Sequence, residues 1–440
     1  MKSARQIAAE ILLRVERDGS YASLSLNGEL RKNGTPDAKE AALATKLVYG
    51  VIERKITLDY NLSLYLRSPL KKLHPAVLTV LRLGLYQIFY TDRIPDRAAV
   101  NESVALTKAN GVGYASGLVN AVLRKAASAG LRLPDPGADE TLYDSVKYSC
   151  PQALLRHLIS NYGPENTRRH LEACNEARPL YIRLNPLKCN EETLAQALQQ
   201  DGAAVYPTDV PGGYRLAYEG DITRLSAFTK GLFHVQDLSS QIAALLPGAR
   251  PGDTVADCCA APGGKSFTLA QCMNNTGSLT SCDIYPHKTK LIEDGAKRLG
   301  ISIIQTVCAP AQTLPSVLPE ADAVLCDVPC SGYGVLGRKP ELRYKDPADC
   351  AGLPQTQYEI LSACAGMVRP GGTLVYSTCT LNPAENEAVC DAFLASGAGF
   401  AVSDDPFYRT YTGGAPYMTL FASAEGGDGF FAAKFERITK

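Results

Sequence analysis

The fold is decided by residues 253–266, which read D-T-V-A-D-C-C-A-A-P-G-G-K-S. A short β-branched run ends at Asp257, a loop of small residues follows, and a helical pattern begins at Ser266. Small residues allow a ligand close to the main chain, and the first turn of a helix offers N–H groups to it. The stretch predicts a ligand-binding loop at the carboxyl edge of an open α/β sheet, although an ordinary strand-to-helix turn has a similar local pattern.

Strand and helix patterns alternate from this stretch to the C-terminus. Strands are predicted over residues 253–257, 278–283, 303–308, 322–327, 373–378 and 430–437. Helices are predicted over residues 239–246, 266–273, 287–299, 355–367 and 384–394. This alternation is typical of a doubly wound, Rossmann-like sheet with helices on both faces.

The preceding chain has a different pattern, and 440 residues are too many for one core. Amphipathic helices are predicted over residues 4–17, 41–49, 58–66, 75–90, 98–110 and 118–127. We therefore predict an all-α helical bundle over residues 1–130 and a Pro/Gly-containing linker over 131–140. A small α/β subdomain over 141–230, with a helix ending near Gly163, a strand at 179–184 and a helix at 191–200, precedes the sheet domain at 231–440.

Charge is distributed unevenly along the chain. The formal net charge is zero, but residues 1–130 hold 19 Lys/Arg and 11 Asp/Glu, a net charge of +8. This basic block permits a polyanionic partner, and a solvated basic surface explains it equally well. The apolar segment 77–90 is interrupted by Arg82 and Gln87, so we expect a buried helix and no membrane span.

The fourteen cysteines all lie between Cys150 and Cys390 and include no C-x-x-C pair. Scattered thiols without a framework spacing indicate a reducing, cytoplasmic environment, and we expect no zinc or other metal site. Free cysteine packs well as a small apolar side chain. Core positions are therefore predicted for Cys258, Cys282, Cys326, Cys364 and Cys390.

Asp283 ends the second predicted strand, about twenty residues after the small-residue loop. An acidic residue at this place can bind ribose hydroxyls of a nicotinamide cofactor or of S-adenosylmethionine. The loop contains neither G-x-G-x-x-G nor a Walker sequence. S-adenosylmethionine is therefore the favoured cofactor, while a solvated strand end remains the alternative for Asp283.

A carboxylate and two thiols follow later strands. Asp327 ends the fourth strand and precedes Val-Pro-Cys330, and Cys379 follows Thr378 at the end of the fifth. Strand ends in such sheets can face one crevice, so these groups can converge on one substrate. A thiolate that adds to carbon 6 of a pyrimidine makes carbon 5 nucleophilic enough to accept a methyl group, and an acid such as Asp327 at N3 assists. The target base must leave its stack to reach such a pocket.

These motifs resemble two families. Residues 47–50, 81–87 and 119–124 resemble a NusB-type RNA-binding domain, which implies binding of RNA or a partner. A role of Asn120 and Arg124 in capping or bracing helices explains these two residues equally well. The pieces 235–237, 259–265, 286–288, 327–332, 377–379 and 382–387 resemble the RsmB/NOP family of RNA cytosine-C5 methyltransferases. Together the two resemblances cover nearly the whole chain.

The resemblance implies roles for individual residues. Cys379 would be the nucleophile at carbon 6, Cys330 would aid release of the product, and Asp327 would complete the catalytic set. The implied residues around S-adenosylmethionine are Cys259, Ala260, Ala261, Pro262, Gly263, Gly264, Lys265, Asp283, Cys308 and Asp327. The implied target is carbon 5 of cytosine 967 in 16S rRNA, naked or in an early small-subunit particle, acted on by a monomer. Candidate RNA contacts are Lys288, Arg338, Lys339 and Arg343, which surface charge alone also explains.

Two departures from the family pattern stand out. Cys308 occupies the position where the family has an acidic residue near the adenine, and a thiol is a weaker acceptor than a carboxylate. Weaker cofactor binding or substitution by Gln312 would follow. Cys150 stands where the family often has histidine. Two other functions remain open from sequence: a C5-methyltransferase acting on another RNA such as tRNA, and a non-catalytic RNA-binding assembly or antitermination factor.

Overall fold

The computed structural model describes residues 2–18, 26, 28–29, 38–345 and 347–439. It divides into two units, one of residues 1–175 with 339–345, and one of residues 176–338 with 346–440. No helix among the described residues is long and apolar enough to cross a membrane.

The first unit is helical, as the sequence predicts. Its helices are α1 (Ala4–Asp18), α2 (Ala38–Glu53), α3 (Lys55–Ser63), α4 (Pro75–Tyr90), α5 (Asp96–Ala109), α6 (Ser116–Ala129), α7 (Glu140–Tyr148) and α8 (Gln152–Asn175). Apolar faces of α1 to α6 form one core, in which residues such as Ile7, Leu47, Leu81 and Leu123 are fully buried. The bundle thus forms by burial of the amphipathic stripes.

Helix α4 shows why a charge is tolerated in an apolar segment. Pro75 occupies its first turn, and His74 caps it by accepting from the Ala76 N–H at 3.2 Å. Arg82 is 6% exposed and donates to both carboxylate oxygens of Asp59 and to Glu16, at 2.7–3.0 Å. The guanidinium is therefore fully paired inside the bundle.

Helix α8 is longer than predicted. The sequence places its end near Gly163, where φ is +78° and helical geometry is interrupted. Pro164 then starts a second helical stretch that continues to Asn175. Proline fits a first helical turn, so the chain resumes a helix after the break.

The second unit begins with an antiparallel sheet of four strands in the order β2-β3-β1-β4. These are β1 (Leu180–Leu184), β2 (Ala204–Pro207), β3 (Gly213–Ala217) and β4 (Phe233–Val235). Helices α9 (Glu191–Gln200) and α10 (Ser226–Thr229) accompany it. The sequence predicts β1 and α9 but misses the other strands. Glycine and proline of the adjoining turns obscure the patterns of β2 and β3, and β4 has only three residues.

The large sheet has the order β10-β12-β9-β8-β5-β6-β7, and β11 pairs with β12. Its strands are β5 (Thr254–Asp257), β6 (Ser278–Asp283), β7 (Ile304–Cys308), β8 (Ala321–Asp327), β9 (Val368–Thr378), β10 (Phe400–Val402), β11 (Met418–Leu420) and β12 (Phe430–Arg437). Its helices are α11 (Leu238–Leu245), α12 (Gly264–Cys272), α13 (Pro286–Leu299), α14 (Leu353–Ala365), α15 (Glu387–Ala395) and α16 (Pro406–Thr412).

Strands β5 to β9 are parallel, and β12 runs antiparallel beside β9. The predicted fold class, a helical domain followed by a doubly wound α/β domain with a small α/β subdomain, is confirmed. The sequence misses the short strands β10 and β11. The domain boundaries drawn from sequence stay a prediction.

Candidate active site

The reversal of strand order defines the crevice. From β5 the chain adds β6 and β7 on one side, and then crosses to β8 and β9 on the other. In open α/β sheets, ligands bind at the carboxyl ends of the strands where this order reverses. Asp257 ends β5 and Asp327 ends the neighbouring β8, so the polar strand ends predicted from sequence lie at this point.

The small-residue loop passes close to the end of β6. The Ala260 N–H donates to the Cys282 carbonyl at 2.7 Å, and the Ala261–Pro262 peptide is cis. Gly263 has φ +109°, and a Cβ there would lie 2.6 Å from the Phe267 ring. Glycine is therefore required immediately before α12, whose first N–H groups have no partner within the helix.

Asp257 is completely buried behind this loop. Ser266 Oγ donates to Asp257 Oδ2 at 2.7 Å, and Ser281 Oγ donates to Ser266 Oγ at 2.8 Å. Burial raises the pKa of Asp257 to about 7. The hydrogen bond from Ser266 lowers this pKa, and the negative charge of Asp327 raises it further. This carboxyl therefore takes up a proton near neutral pH.

Asp283 and Cys308 end neighbouring strands and are partners in the β6–β7 register. Asp283 is buried; its Oδ1 accepts from the Tyr285 N–H at 3.0 Å, and Lys288 Nζ lies 3.6 Å from its Oδ2. Cys308 is exposed, and its thiol points to the Ile284 carbonyl at 3.6 Å. The carboxylate has capacity to accept further hydrogen bonds, whereas the thiol offers little.

Asp327 is held at both carboxylate oxygens. Lys265 Nζ donates to Oδ2 at 2.6 Å, and Ser377 Oγ donates to Oδ1 at 2.8 Å. Burial disfavours the Lys265 ammonium, but Asp327 more than offsets this and holds the pKa of Lys265 above its ordinary value. A charged Lys265 from the small-residue loop is therefore bound to Asp327 on β8.

The two motif cysteines meet directly. Cys330 Sγ and Cys379 Sγ lie 3.2 Å apart, and both residues are half-buried. The hydrogen bond with Cys379 and burial raise the pKa of the Cys330 thiol well above its ordinary value. The raised pKa favours the protonated thiol at Cys330, and a hydrogen bond joins the two sulfur atoms.

A buried carboxylate joins the two loops that carry these thiols. Glu385 Oε2 accepts from the Ser331 N–H and from Gln357 Nε2, both at 2.9 Å, and Oε1 accepts from Asn382 Nδ2 at 2.8 Å. Gln357 also donates to the Pro329 carbonyl at 2.9 Å. Glu385 lies within residues 382–387, one of the stretches that carry the family resemblance. The sequence analysis assigns it no role, because a single carboxylate ahead of a helix does not reveal its partners.

Comparisons with known families agree with this geometry. The family described as 16S rRNA methyltransferase RsmB/F matches residues 244–436, the NusB family matches residues 2–128, and an RsmF/B-like ferredoxin-like domain matches residues 150–223. Each match falls on a segment whose helices and strands are described above.

Full-length relatives decide the assignment. The probable ribosomal RNA small subunit methyltransferase B of Bacillus subtilis is 36% identical over 90% of this chain and 89% of its own length. That of Synechocystis is 36% identical over 99% of this chain and 100% of its own length. The chain belongs to the family of ribosomal RNA small subunit methyltransferase B. The family member from Escherichia coli O1:K1 is 31% identical over 98% of both chains.

Membership in the methyltransferase B family makes the chain an S-adenosylmethionine-dependent RNA methyltransferase, in place of the non-catalytic alternative left open by sequence. The crystal structure of PH0851 resembles it with a TM-score of 0.81 and 26% identity over 99% of both chains. NSun6 from Pyrococcus horikoshii with SFG shares the fold, with a TM-score of 0.60 and 22% identity over 66% of this chain and 99% of that one.

Two of the four basic residues predicted to contact RNA have internal partners in this family member. Arg343 is 2% exposed and donates to the Tyr148 carbonyl at 2.9 Å and to Asn175 Oδ1 at 2.7 Å. Arg338 donates to Asp428 at 2.8 Å and to Asp237 at 3.1 Å. The prediction of RNA contact is wrong for buried Arg343, and Arg338 is engaged in a structural ion-pair cluster.

The remaining basic candidates stay available. Lys339 is exposed, and the Lys288 side chain is 40% exposed with its ammonium 4.8 Å from the centre of the Tyr285 ring. In the helical unit Arg124 is exposed and Asn120 is half-buried. A role of these four residues in RNA binding stays a prediction.

Proposed function

We propose that the chain methylates carbon 5 of cytosine 967 in 16S rRNA through a covalent bond between Cys379 and carbon 6 of the base. The observation that carries this proposal is the 3.2 Å separation of Cys330 Sγ and Cys379 Sγ at the carboxyl ends of β8 and β9, where Asp327 is also found. Two thiols and a carboxylate at one strand edge are the groups that addition, methyl acceptance and release require.

The cofactor residues predicted from sequence fit S-adenosylmethionine. The loop of residues 259–265 has the small side chains and the left-handed glycine that close backbone approach needs, and Asp283 ends β6 with acceptor capacity for ribose hydroxyls. Cys308 would lie near the adenine as a weak partner. When bound, the cofactor supplies a methyl group on a positively charged sulfur.

The chain's own residues would handle the base and the protons. The Cys379 thiolate adds to carbon 6 of the cytosine, and the electron pair of the ring double bond moves towards carbon 5. Asp327, hydrogen-bonded to Lys265 and Ser377, passes a proton from the Lys265 ammonium to N3 as negative charge develops on the ring. After carbon 5 is methylated, its proton passes to water, the double bond between carbons 5 and 6 re-forms, and the carbon–sulfur bond to Cys379 breaks. Cys330, whose Sγ lies 3.2 Å from Cys379 Sγ, assists this release.

Trapping the adduct tests the proposal. Cys330→Ser, incubated with S-adenosylmethionine and unmodified 16S rRNA, should give a protein–RNA band on a denaturing gel. The band should disappear in the Cys330→Ser/Cys379→Ala double variant. A band that persists in the double variant would assign the attack to another residue. Mapping of the methylated base would separate cytosine 967 from another target.

A further inference from the structure

Three cysteines remote in sequence form a buried cluster beneath the crevice. Cys258 follows β5, Cys326 lies in β8 and Cys364 lies in α14, and their exposures are 1%, 0% and 0%. Their sulfur atoms all lie within 4.8 Å of one another. The sequence predicts these residues correctly as core positions but gives no indication that they meet.

The register of the sheet brings the thiols together. The Cys258 N–H donates to the Leu325 carbonyl at 2.9 Å, which places Cys258 beside Cys326 across neighbouring strands. Helix α14 packs on the same face and directs Cys364 to them, with a weak thiol contact to the Ala311 carbonyl at 3.8 Å. Two strands and one helix thus each contribute one sulfur.

The spacing suits a three-coordinate ion. With metal–thiolate bonds of about 2.3 Å, three sulfurs around one centre lie roughly 3.5–4.0 Å apart. The three sulfur atoms of the cluster lie within 4.8 Å of one another, which is compatible with that separation. Among the described residues this group contains three protein ligands, whereas structural zinc sites use four.

Charge selects the kind of ion. The thiols belong to a core cluster with apolar residues such as Val324, Ile360 and Leu361. Asp257 directly precedes Cys258 and Asp327 directly follows Cys326 in the chain, and both are acidic. Three thiolates with a divalent ion leave one negative charge in these apolar surroundings, whereas a trivalent ion gives a neutral complex that avoids this cost.

We propose that Cys258, Cys326 and Cys364 form a binding site for a trivalent, thiophilic ion, with arsenic(III) as the probe. Arsenous acid and three thiols give an arsenic centre with three As–S bonds and release three water molecules, with no change of oxidation state. The bound ion would connect the end of β5, β8 and α14. The site is independent of the Cys330–Cys379 pair, which offers two thiols and would leave one hydroxyl on arsenic.

Mass spectrometry distinguishes the two kinds of adduct, because the two-thiol adduct retains one more water than the three-thiol adduct. The full-length protein is purified under reducing conditions from cells grown with arsenite, so that the ion is present while the buried site forms. Wild type is compared with Cys364→Ala and Cys326→Ala. The matched control is Cys390→Ala, which removes a fully buried thiol in α15 outside this cluster.

The three-thiol adduct is expected in wild type and Cys390→Ala, and should be lost from both Cys364→Ala and Cys326→Ala. Circular dichroism identifies any variant that is unfolded. If one of the two cluster variants is unfolded, the adduct of the other one is compared with that of wild type. Absence of the three-thiol adduct from wild type overturns the proposal. The same conclusion follows if a folded cluster variant retains the adduct at the wild-type level.

Discussion

Lys265 Nζ lies 2.6 Å from Asp327 Oδ2, so the loop before α12 is connected to the end of β8 by a charged hydrogen bond. Phe430 flanks the ammonium, which lies 5.2 Å from the centre of its ring. The Ser377 hydroxyl donates to the other carboxylate oxygen of Asp327. This pair couples the loop proposed to hold the cofactor to the carboxylate proposed to face the base.

Replacement of Lys265 by methionine should therefore slow methyl transfer. We expect the single-turnover rate to fall by roughly 10²- to 10⁴-fold, because Asp327 loses its proton-donating partner. Rapid-quench measurement with saturating RNA and cofactor tests this, with calorimetry to show whether cofactor still binds. A rate close to that of wild type in a variant that binds cofactor would contradict a role of Lys265 in proton transfer.

Cys379→Ala should lose methyl transfer by roughly 10³-fold or more and bind S-adenosylmethionine nearly as wild type does, because its thiolate acts on the base alone. The matched control is Cys390→Ala, a buried cysteine in α15 away from the thiol pair. Methylation of rRNA and calorimetry are the two measurements. Full activity in Cys379→Ala would remove this residue from the mechanism.

Asp283→Ala should weaken binding of S-adenosylmethionine by roughly ten- to a hundredfold, since hydrogen bonds to a charged group contribute about 1.5–3 kcal/mol. Isothermal calorimetry measures this affinity. Asp294→Ala is the control, because that carboxylate is exposed on α13 and pairs with Lys290. Equal affinity of Asp283→Ala and wild type would mean that the ribose is held elsewhere.

The buried Asp257 predicts a pH dependence of stability. Its folded-state pKa is raised to about 7 from an ordinary value of 3.8, so the folded chain binds this proton more tightly than the unfolded chain. The proton on Asp257 therefore contributes to the free energy of unfolding, by about 4 kcal/mol at most. This contribution is fully present below the unfolded-state pKa and is lost as the pH rises to about 7.

Urea unfolding of wild type and Asp257→Asn at several pH values tests this dependence. The free energy of unfolding of wild type should fall relative to that of the variant as pH rises between the two pKa values. A difference between the two proteins that does not change with pH would show that Asp257 titrates normally.

Arg338→Gln should destabilise the second unit by about 3 kcal/mol. The substitution removes the guanidinium that pairs with the carboxylates of Asp237 and Asp428 in a largely buried cluster. Thermal unfolding measures this loss. The control is Lys339→Gln, which removes the exposed neighbouring charge. Unchanged stability together with weaker RNA binding would return Arg338 to the RNA-contact role predicted from sequence.

The class of fold and the order of its main elements follow from local patterns in the sequence. The strand over residues 278–283 and the strand over 430–437 are predicted with the bounds that the structure shows. Hydrophobic periodicity, glycine and proline act within a few residues, so they report local structure well. The same motifs carried the resemblance to RNA cytosine methyltransferases.

Contacts between side chains that are distant in sequence depend on the tertiary structure. Cys330 contacts Cys379 at 3.2 Å across 49 residues of chain because β8 and β9 are neighbours in the sheet. The Cys258, Cys326 and Cys364 cluster depends on β5 pairing with β8 and on α14 covering that face. Arg343 is basic in sequence and buried in the fold. Strand order and register arise from packing between distant segments, and no local pattern encodes the partner that a side chain acquires there.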